Sequence, residues 1–140
     1  MSAQADIILV EDDPDDVYLF RTACEAIRPV PLVTVLNDGY ALIDYVAQQD
    51  CRGKLILLDL NMPGLSGLET LQQLQLQPKN ATLTVVGFTT SCNLLDIKRA
   101  YESGARSFVT KPATLQEMIE LLRNMTQYWF GYNRFYKEVR

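Results

Sequence analysis

Leu55-Ile56-Leu57-Leu58-Asp59-Leu60-Asn61-Met62-Pro63-Gly64 runs from four consecutive aliphatics through an acid into a Pro-Gly turn. An apolar run of that length, bounded by turn residues, suits a strand buried on both faces, as strands of parallel sheets are. Ile7-Ile8-Leu9-Val10 has the same form and ends in Glu11-Asp12-Asp13. If both are parallel strands, carboxylates from distant parts of the chain meet at one edge of one sheet. Left unpaired they repel, by about 4 kcal/mol for two unit charges roughly 4 Å apart at an effective dielectric of about 20. Acids gathered there predict a bound divalent cation, with one carboxylate left free to react.

Working outward, similar short apolar runs alternate with longer helix-like segments, the signature of repeated strand-helix units. Strands are predicted at 6–10, 31–36, 55–59, 83–88 and 106–110, and helices at 14–28, 39–49, 66–76, 92–103 and 114–130. The fold class that follows is α/β: a doubly wound, five-stranded parallel sheet in order 2-1-3-4-5 flanked by five helices, with its ligand site between strands 1 and 3. Those strands end in Glu11-Asp12 and in Asp59. Asp13-Pro14 predicts a helix N-cap with proline at the first helical position, leaving Asp15 and Asp16 as solvated first-turn acids. Ser103-Gly104 predicts a helix stop. Met118, Leu122, Met125 and Trp129 form one helical stripe that should pack on the sheet, with Ile119 and Leu121 flanking it.

The 140 residues are 48% hydrophobic and 21% charged, enough for one globular domain with a full core and no room for a second. A net charge of −4 with scattered lysines and arginines makes nucleic acid a poor direct partner. No apolar segment approaches a membrane span and the first six residues lack signal-peptide character, so the expected compartment is the cytoplasm. Cys24, Cys51 and Cys92 are widely spaced and predicted to be free, reduced core thiols. The absence of histidine removes zinc sites of the usual kind, catalytic triads and histidine bases. Carboxylates, hydroxyls, lysine and a metal ion must carry the chemistry.

Among the acids, Asp13 has the stronger claim as a cap, whereas Glu11 and Asp12 lie at the strand's carboxyl end and suit a metal. Mg²⁺ takes few protein oxygens and keeps waters, so Asp12, Asp59 and the Asn61 carbonyl would suffice. Strand 4 runs into Thr89-Thr90-Ser91, whose hydroxyls either serve the site or cap helix 4. Strand 5 ends in Thr110-Lys111-Pro112, and Lys111 beside three acids reads as their counter-charge.

Val10-Glu-Asp-Asp13, Leu57-Leu-Asp-Leu-Asn-Met-Pro-Gly64, Phe88-Thr-Thr90 and Val109-Thr-Lys-Pro112, in this order and in register with the predicted strands, resemble the receiver domain of bacterial two-component response regulators, whose fold is flavodoxin-like. The resemblance spans residues 6 to about 125. It implies that Asp59 accepts a phosphoryl group from a phosphohistidine on a sensor histidine kinase, with Mg²⁺ held by Asp12, Asp59 and the Asn61 carbonyl and Glu11 assisting through water. It further implies that Lys111 pairs with the phosphoryl oxygens and Thr89 hydrogen-bonds the group once formed. Phe108 then turns inward, switching a surface built from helix 4, strand 5 and helix 5. The resemblance also predicts a cis Lys111-Pro112 bond that aims the lysine back over the acids.

Two departures are visible: Gly87-Phe88 where the family commonly has aliphatics, and a chain that stops after one domain, so that output must pass through a partner or self-association. Residues 128–136, Tyr-Trp-Phe-Gly-Tyr-Asn-Arg-Phe-Tyr, hold six of the chain's aromatics and extend the last helix over about 126–140. They either cover the sheet's lower edge or form an interface. This tail, with Thr89-Thr-Ser91, is similar to stand-alone receivers that partner phytochrome-type kinases, which implies a homodimer through helix 4, strand 5 and helix 5. Two other function classes compete: a metal-dependent phosphatase with an aspartate nucleophile, which would need a second acid where Asn61 stands and a cap-sized insertion, and an unphosphorylated interaction scaffold.

Overall fold

The computed structural model describes residues 4–91 and 93–136, so the prediction for Cys92 lies outside the described residues. Five parallel strands, β1 (Asp6–Val10), β2 (Leu32–Leu36), β3 (Leu55–Leu58), β4 (Thr84–Thr89) and β5 (Ser107–Thr110), form one sheet in the order β2-β1-β3-β4-β5. The helices between them are α1 (Pro14–Glu25), α2 (Gly39–Gln48), α3 (Gly67–Gln75), α4 (Leu94–Glu102) and α5 (Leu115–Gln127). The order and the parallel pairing agree with the sequence prediction.

Burial explains why these central runs are uniformly apolar. Central β1 and β3 are covered on both faces: Ile7, Leu9, Leu55 and Leu57 join the core under α1 and α5, while Ile8, Val10, Ile56 and Leu58 join the core under α2, α3 and α4. Phe20, Ala23 and Cys24 of α1 meet Met118, Leu122 and Met125 of α5 on the first face, so the predicted α5 stripe packs as expected. On the second face Leu42 and Val46 of α2 pack with Leu71 and Leu74 of α3 and Ala100 of α4. Cys24 and Cys51 are free and buried, as predicted.

Capping chemistry fixes where helices start at the sheet's carboxyl edge. Asp13 caps α1 by accepting from the Asp15 amide with Pro14 in the first turn, and Ser66 with Glu69 forms a reciprocal capping box on α3. At α4 the cap is Asn93, which accepts from the Leu95 amide; Ser91 instead donates to Asp96 and accepts from the Asn93 amide. Neither Thr89 nor Ser91 is therefore the α4 cap. Gly104 follows α4 with φ 103°, the left-handed stop predicted there.

The last helix is shorter than its pattern. α5 ends at Gln127 and a π-helical turn covers Tyr128–Tyr132. That turn rotates the tail so that Phe130 is buried and Trp129 and Phe135 pack against the first core, while Tyr128, Tyr132 and Tyr136 stay exposed. A 3-10 turn at Pro78–Thr82, between α3 and β4, has no counterpart in the sequence prediction.

Candidate functional site

Glu11 and Asp12 follow β1 and Asp59 follows β3, and the ladder pairing Val10 with Leu58 brings the two chain ends together. Backbone bonds continue past the strands: the Glu11 amide donates to Leu36 O at 2.9 Å and the Asp59 amide to Val10 O at 3.1 Å. Both carboxylates are thus set by sheet backbone, and both are buried, whereas Asp12 is exposed at the rim. Carboxylate oxygens of Glu11, Asp12 and Asp59 lie within 4.8 Å of one another. Three hard oxygen donors so placed, with one side open to water, fit a small divalent cation that retains part of its hydration shell.

Lys111 closes the cluster from β5. Its amide donates to Thr89 O at 2.9 Å, which fixes the backbone at the strand end. An ammonium has three protons to give, and here each has a carboxylate: Glu11 in a very close contact, Asp16 Oδ2 at 3.0 Å and Asp59 Oδ2 at 3.4 Å. Burial by itself would lower the lysine's pKa, but its bonds to Glu11 and Asp16 and the charge of Asp59 outweigh burial and hold it above the ordinary lysine value. Glu11 goes the other way for a carboxyl: burial, reinforced by Asp59 and only partly opposed by Lys111, pushes it up to about 7. Such perturbed, charge-coupled groups at a sheet edge mark a functional site.

The loop after β3 binds the cluster to β4. The Asn61 amide donates to Asp59 Oδ1 at 3.0 Å, and its side-chain Nδ2 donates to Thr89 Oγ1 at 3.0 Å. Gly67 is what lets α3 approach this loop: a Cβ there would lie 2.2 Å from Asp59 O and 2.5 Å from the Leu60 Cα. Gly87 has a related use. It pairs with Phe108 in the β4–β5 ladder, and a Cβ on it would come within 3.2 Å of the Phe108 ring. The glycine that departs from the family pattern therefore makes room for the half-buried aromatic.

Glu11, Asp12, Asp59 and Lys111 are brought together as the sequence predicted, with Asn61 and Thr89 joined beside them. Phe108 stands two ladder positions before the Thr89–Thr110 pair and packs toward α2, α3 and α4 rather than into the acid cluster. One expectation is overturned: among the described residues the cis peptide bond is Arg28-Pro29, and Lys111-Pro112 is trans. The lysine reaches the acids without it, because the Lys111–Thr89 backbone bond already points the strand end at them. Sequence reasoning also missed Asp16, read as a solvated acid. A side chain in a first helical turn projects back toward the helix N-terminus, here toward the strand edge, and that direction was the available signal.

The family model for the response regulator receiver domain matches residues 7–123. The probable methanogenesis regulatory protein FilR2 of Methanothrix harundinacea is 31% identical over 132 residues, covering 91% of this chain and 85% of that protein. Response regulator Rcp1 of Synechocystis is 30% identical over 128 residues, covering 88% of this chain and 87% of Rcp1. Its Mn²⁺-bound crystal structure superposes with a TM-score of 0.79 at 28% identity, over 95% of this chain and 99% of that one. The phosphorylated cyanobacterial phytochrome response regulator RcpA superposes at 0.83 with 28% identity, over 96% and 100% of the two chains. Matching motifs, strand order and acid edge together mean that this chain belongs to the response regulator receiver domain family of two-component systems.

Proposed function

We propose that this chain is a phosphoacceptor: Asp59 takes a phosphoryl group from a phosphohistidine on a sensor histidine kinase. The observation that carries this reading is the buried Asp59 carboxylate, which shares with Glu11 and Asp12 an acid set able to hold a cation and lies 3.4 Å from the Lys111 ammonium. An ionised carboxylate oxygen attacks phosphorus, the phosphorus–nitrogen bond breaks, and the electron pair returns to the imidazole, which takes up a proton from solvent. No base on this chain is required, which suits a chain without histidine.

Phosphoryl transfer depends on positioning and on cationic neutralisation of oxygens. Glu11, Asp12 and Asp59, with the Asn61 carbonyl, are the residues that would hold Mg²⁺, which when bound supplies that neutralisation. The residues of the chain do the rest. Lys111 pairs with a phosphoryl oxygen, and the added charge of about −1.5 to −2 draws the Thr89 hydroxyl away from Asn61. Phe108, whose ring already lies beside Gly87, then turns inward to follow the hydroxyl, altering the surface of α4, β5 and α5. The chain's own chemistry is confined to gaining and losing this phosphoryl group.

A second copy of this chain is the partner proposed for that surface, because Leu94, Leu95 and Tyr101 of α4 and Tyr128 and Tyr132 beyond α5 are exposed. A phytochrome-type kinase is the proposed donor, supported by the likeness to RcpA. Intact-mass measurement after incubation with acetyl phosphate tests the central claim. A single phosphoryl adduct that requires Mg²⁺ and is absent from Asp59→Asn is expected; an adduct on Asp59→Asn equal to wild type overturns it.

A further inference from the structure

We propose that a groove at the end of the sheet opposite the acid cluster binds a small anion built on a flat aromatic ring, of the class of a mononucleotide or an aryl carboxylate. The groove shares no residue with the phosphoacceptor site, so the proposal stands apart from that reading.

The groove encloses about 520 Å³, within the roughly 300–1,000 Å³ of small-ligand pockets. One side is the amino-terminal edge of β4 and β5: Thr82 ends the 3-10 turn, Thr84 opens β4 and Arg106 immediately precedes β5. The other side is the aromatic tail, which contributes Trp129, Arg134 and Tyr136. The tail is held there by its own rings, since Trp129 stacks with Phe135 at 6.3 Å between centroids and both pack on the first core.

Two chemistries therefore meet in one groove. Nη2 of Arg106 donates to Ala81 O at 2.7 Å, which fixes the guanidinium head against the 3-10 turn. Its remaining N–H groups have no acceptor among the described residues. Arg134 is exposed and has no ion pair among the described residues, and no described acid lines the groove. Guanidinium forks match the oxygens of carboxylates and phosphates. The half-buried Trp129 and the exposed Tyr136 add ring faces on which a flat ligand can stack. Two unpaired cations with no acid beside them disfavour a cationic ligand, and a chain of net charge −4 opposes a long polyanion. What remains is a small anion with a ring.

Trp129 is the chain's single tryptophan, so its indole N–H resonance reports on this groove without ambiguity. The full chain is titrated with adenosine monophosphate and, separately, with naphthoate. Adenosine supplies the ring without the charge, and ribose phosphate the charge without the ring. At least one of the two aromatic anions should shift the Trp129 resonance saturably, with a dissociation constant on the order of 1 mM or tighter. A response to the first alone assigns a phosphate as the anion, and a response to the second alone a carboxylate. Adenosine and ribose phosphate should each bind about tenfold more weakly. Arg134→Gln and Arg106→Gln should each weaken binding about fivefold or more, as expected for the loss of a hydrogen bond to a charged group. Arg134→Gln breaks no ion pair among the described residues and carries the test should Arg106→Gln impair folding. Arg123→Gln, on α5 outside the groove, should bind as wild type does. No saturable shift with either anion, equal binding of adenosine or ribose phosphate, or an affinity that Arg134→Gln leaves unchanged overturns the proposal. A Trp129 shift that grows with protein concentration in the absence of ligand would assign the groove to a second copy of this chain and overturns it as well.

Discussion

Asn61 Nδ2 donates to Thr89 Oγ1 at 3.0 Å, tying the loop after β3 to the end of β4. Thr89 Oγ1 accepts in this bond, which leaves its hydroxyl proton to be donated to a phosphoryl group on Asp59. Thr89→Ala should separate modification from response. Removing one partly exposed side-chain bond costs about 1 kcal/mol, so the variant folds. Acetyl phosphate should still add a phosphoryl group to Asp59 by intact mass, while amide chemical-shift changes around Phe108 and α4 on adding berylliofluoride should be largely lost. Shift changes of wild-type size would remove Thr89 from the switch.

Gly67 separates packing from backbone conformation. Gly67→Ala forces a methyl group into the Asp59 carbonyl and the Leu60 Cα, neither of which can rotate away. Overpacking of this kind costs about 1–3 kcal/mol, and the displaced segment carries Asp59 with it. Both the melting temperature and Mg²⁺ affinity should fall. Gly64→Ala meets nothing within 4 Å but has φ +76°, so it should cost about 1 kcal/mol with little effect on the metal. Equal losses of Mg²⁺ affinity in the two variants would contradict this account.

Cation binding should weaken in acid. Glu11 is held near 7 in the folded, metal-free protein against an ordinary value of 4.5. Between those two values the native state binds more protons than the unfolded state, so stability falls as pH rises through that window. Mg²⁺ requires the ionised carboxylate, so its affinity should drop as pH falls below about 7, at up to roughly tenfold per pH unit for release of one proton. Calorimetric titration from about pH 5.5 to 8.5 measures this, and Glu11→Gln should flatten the profile. A wild-type affinity constant across that range would exclude Glu11 as the group displaced.

The strand order and the acid edge were legible because their signals are local and redundant: the β1 and β3 runs are too uniform for one-sided burial and end in Glu11 and Asp59, and β5 ends in Lys111. Less legible features depend on contacts distant in sequence. The first-turn direction of Asp16 does not name its partner Lys111, 95 residues away, and nothing near Gly87 announces the ring of Phe108 across the ladder. The tail was ambiguous for another reason. Its aromatics continue a helical pattern, and only the π-helical turn at Tyr128–Tyr132 decides which rings face the core.

That turn sharpens the expectation for self-association. Phe130 is buried and Phe135 packs on the first core, so deleting the tail would open the domain as well as any interface. Tyr128 and Tyr132 face solvent at 54% and 75% exposure, as do Leu94 and Leu95 of α4. In a two-fold contact every residue serves twice, so a few exposed rings and leucines can supply much of the roughly 1,200–2,000 Å² that a specific interface buries. Wild type should sediment as a dimer at tens of micromolar in the presence of berylliofluoride and Mg²⁺. Tyr132→Ser combined with Leu94→Ser should weaken that dimer about tenfold or more, since each change is repeated across the axis and large apolar or aromatic anchors commonly cost more than about 1 kcal/mol. Thermal stability of the double variant should stay close to wild type, because neither side chain belongs to a core cluster. A wild type that sediments as a monomer with and without berylliofluoride, or a double variant that dimerises as well as wild type, would rule out this surface as the interface.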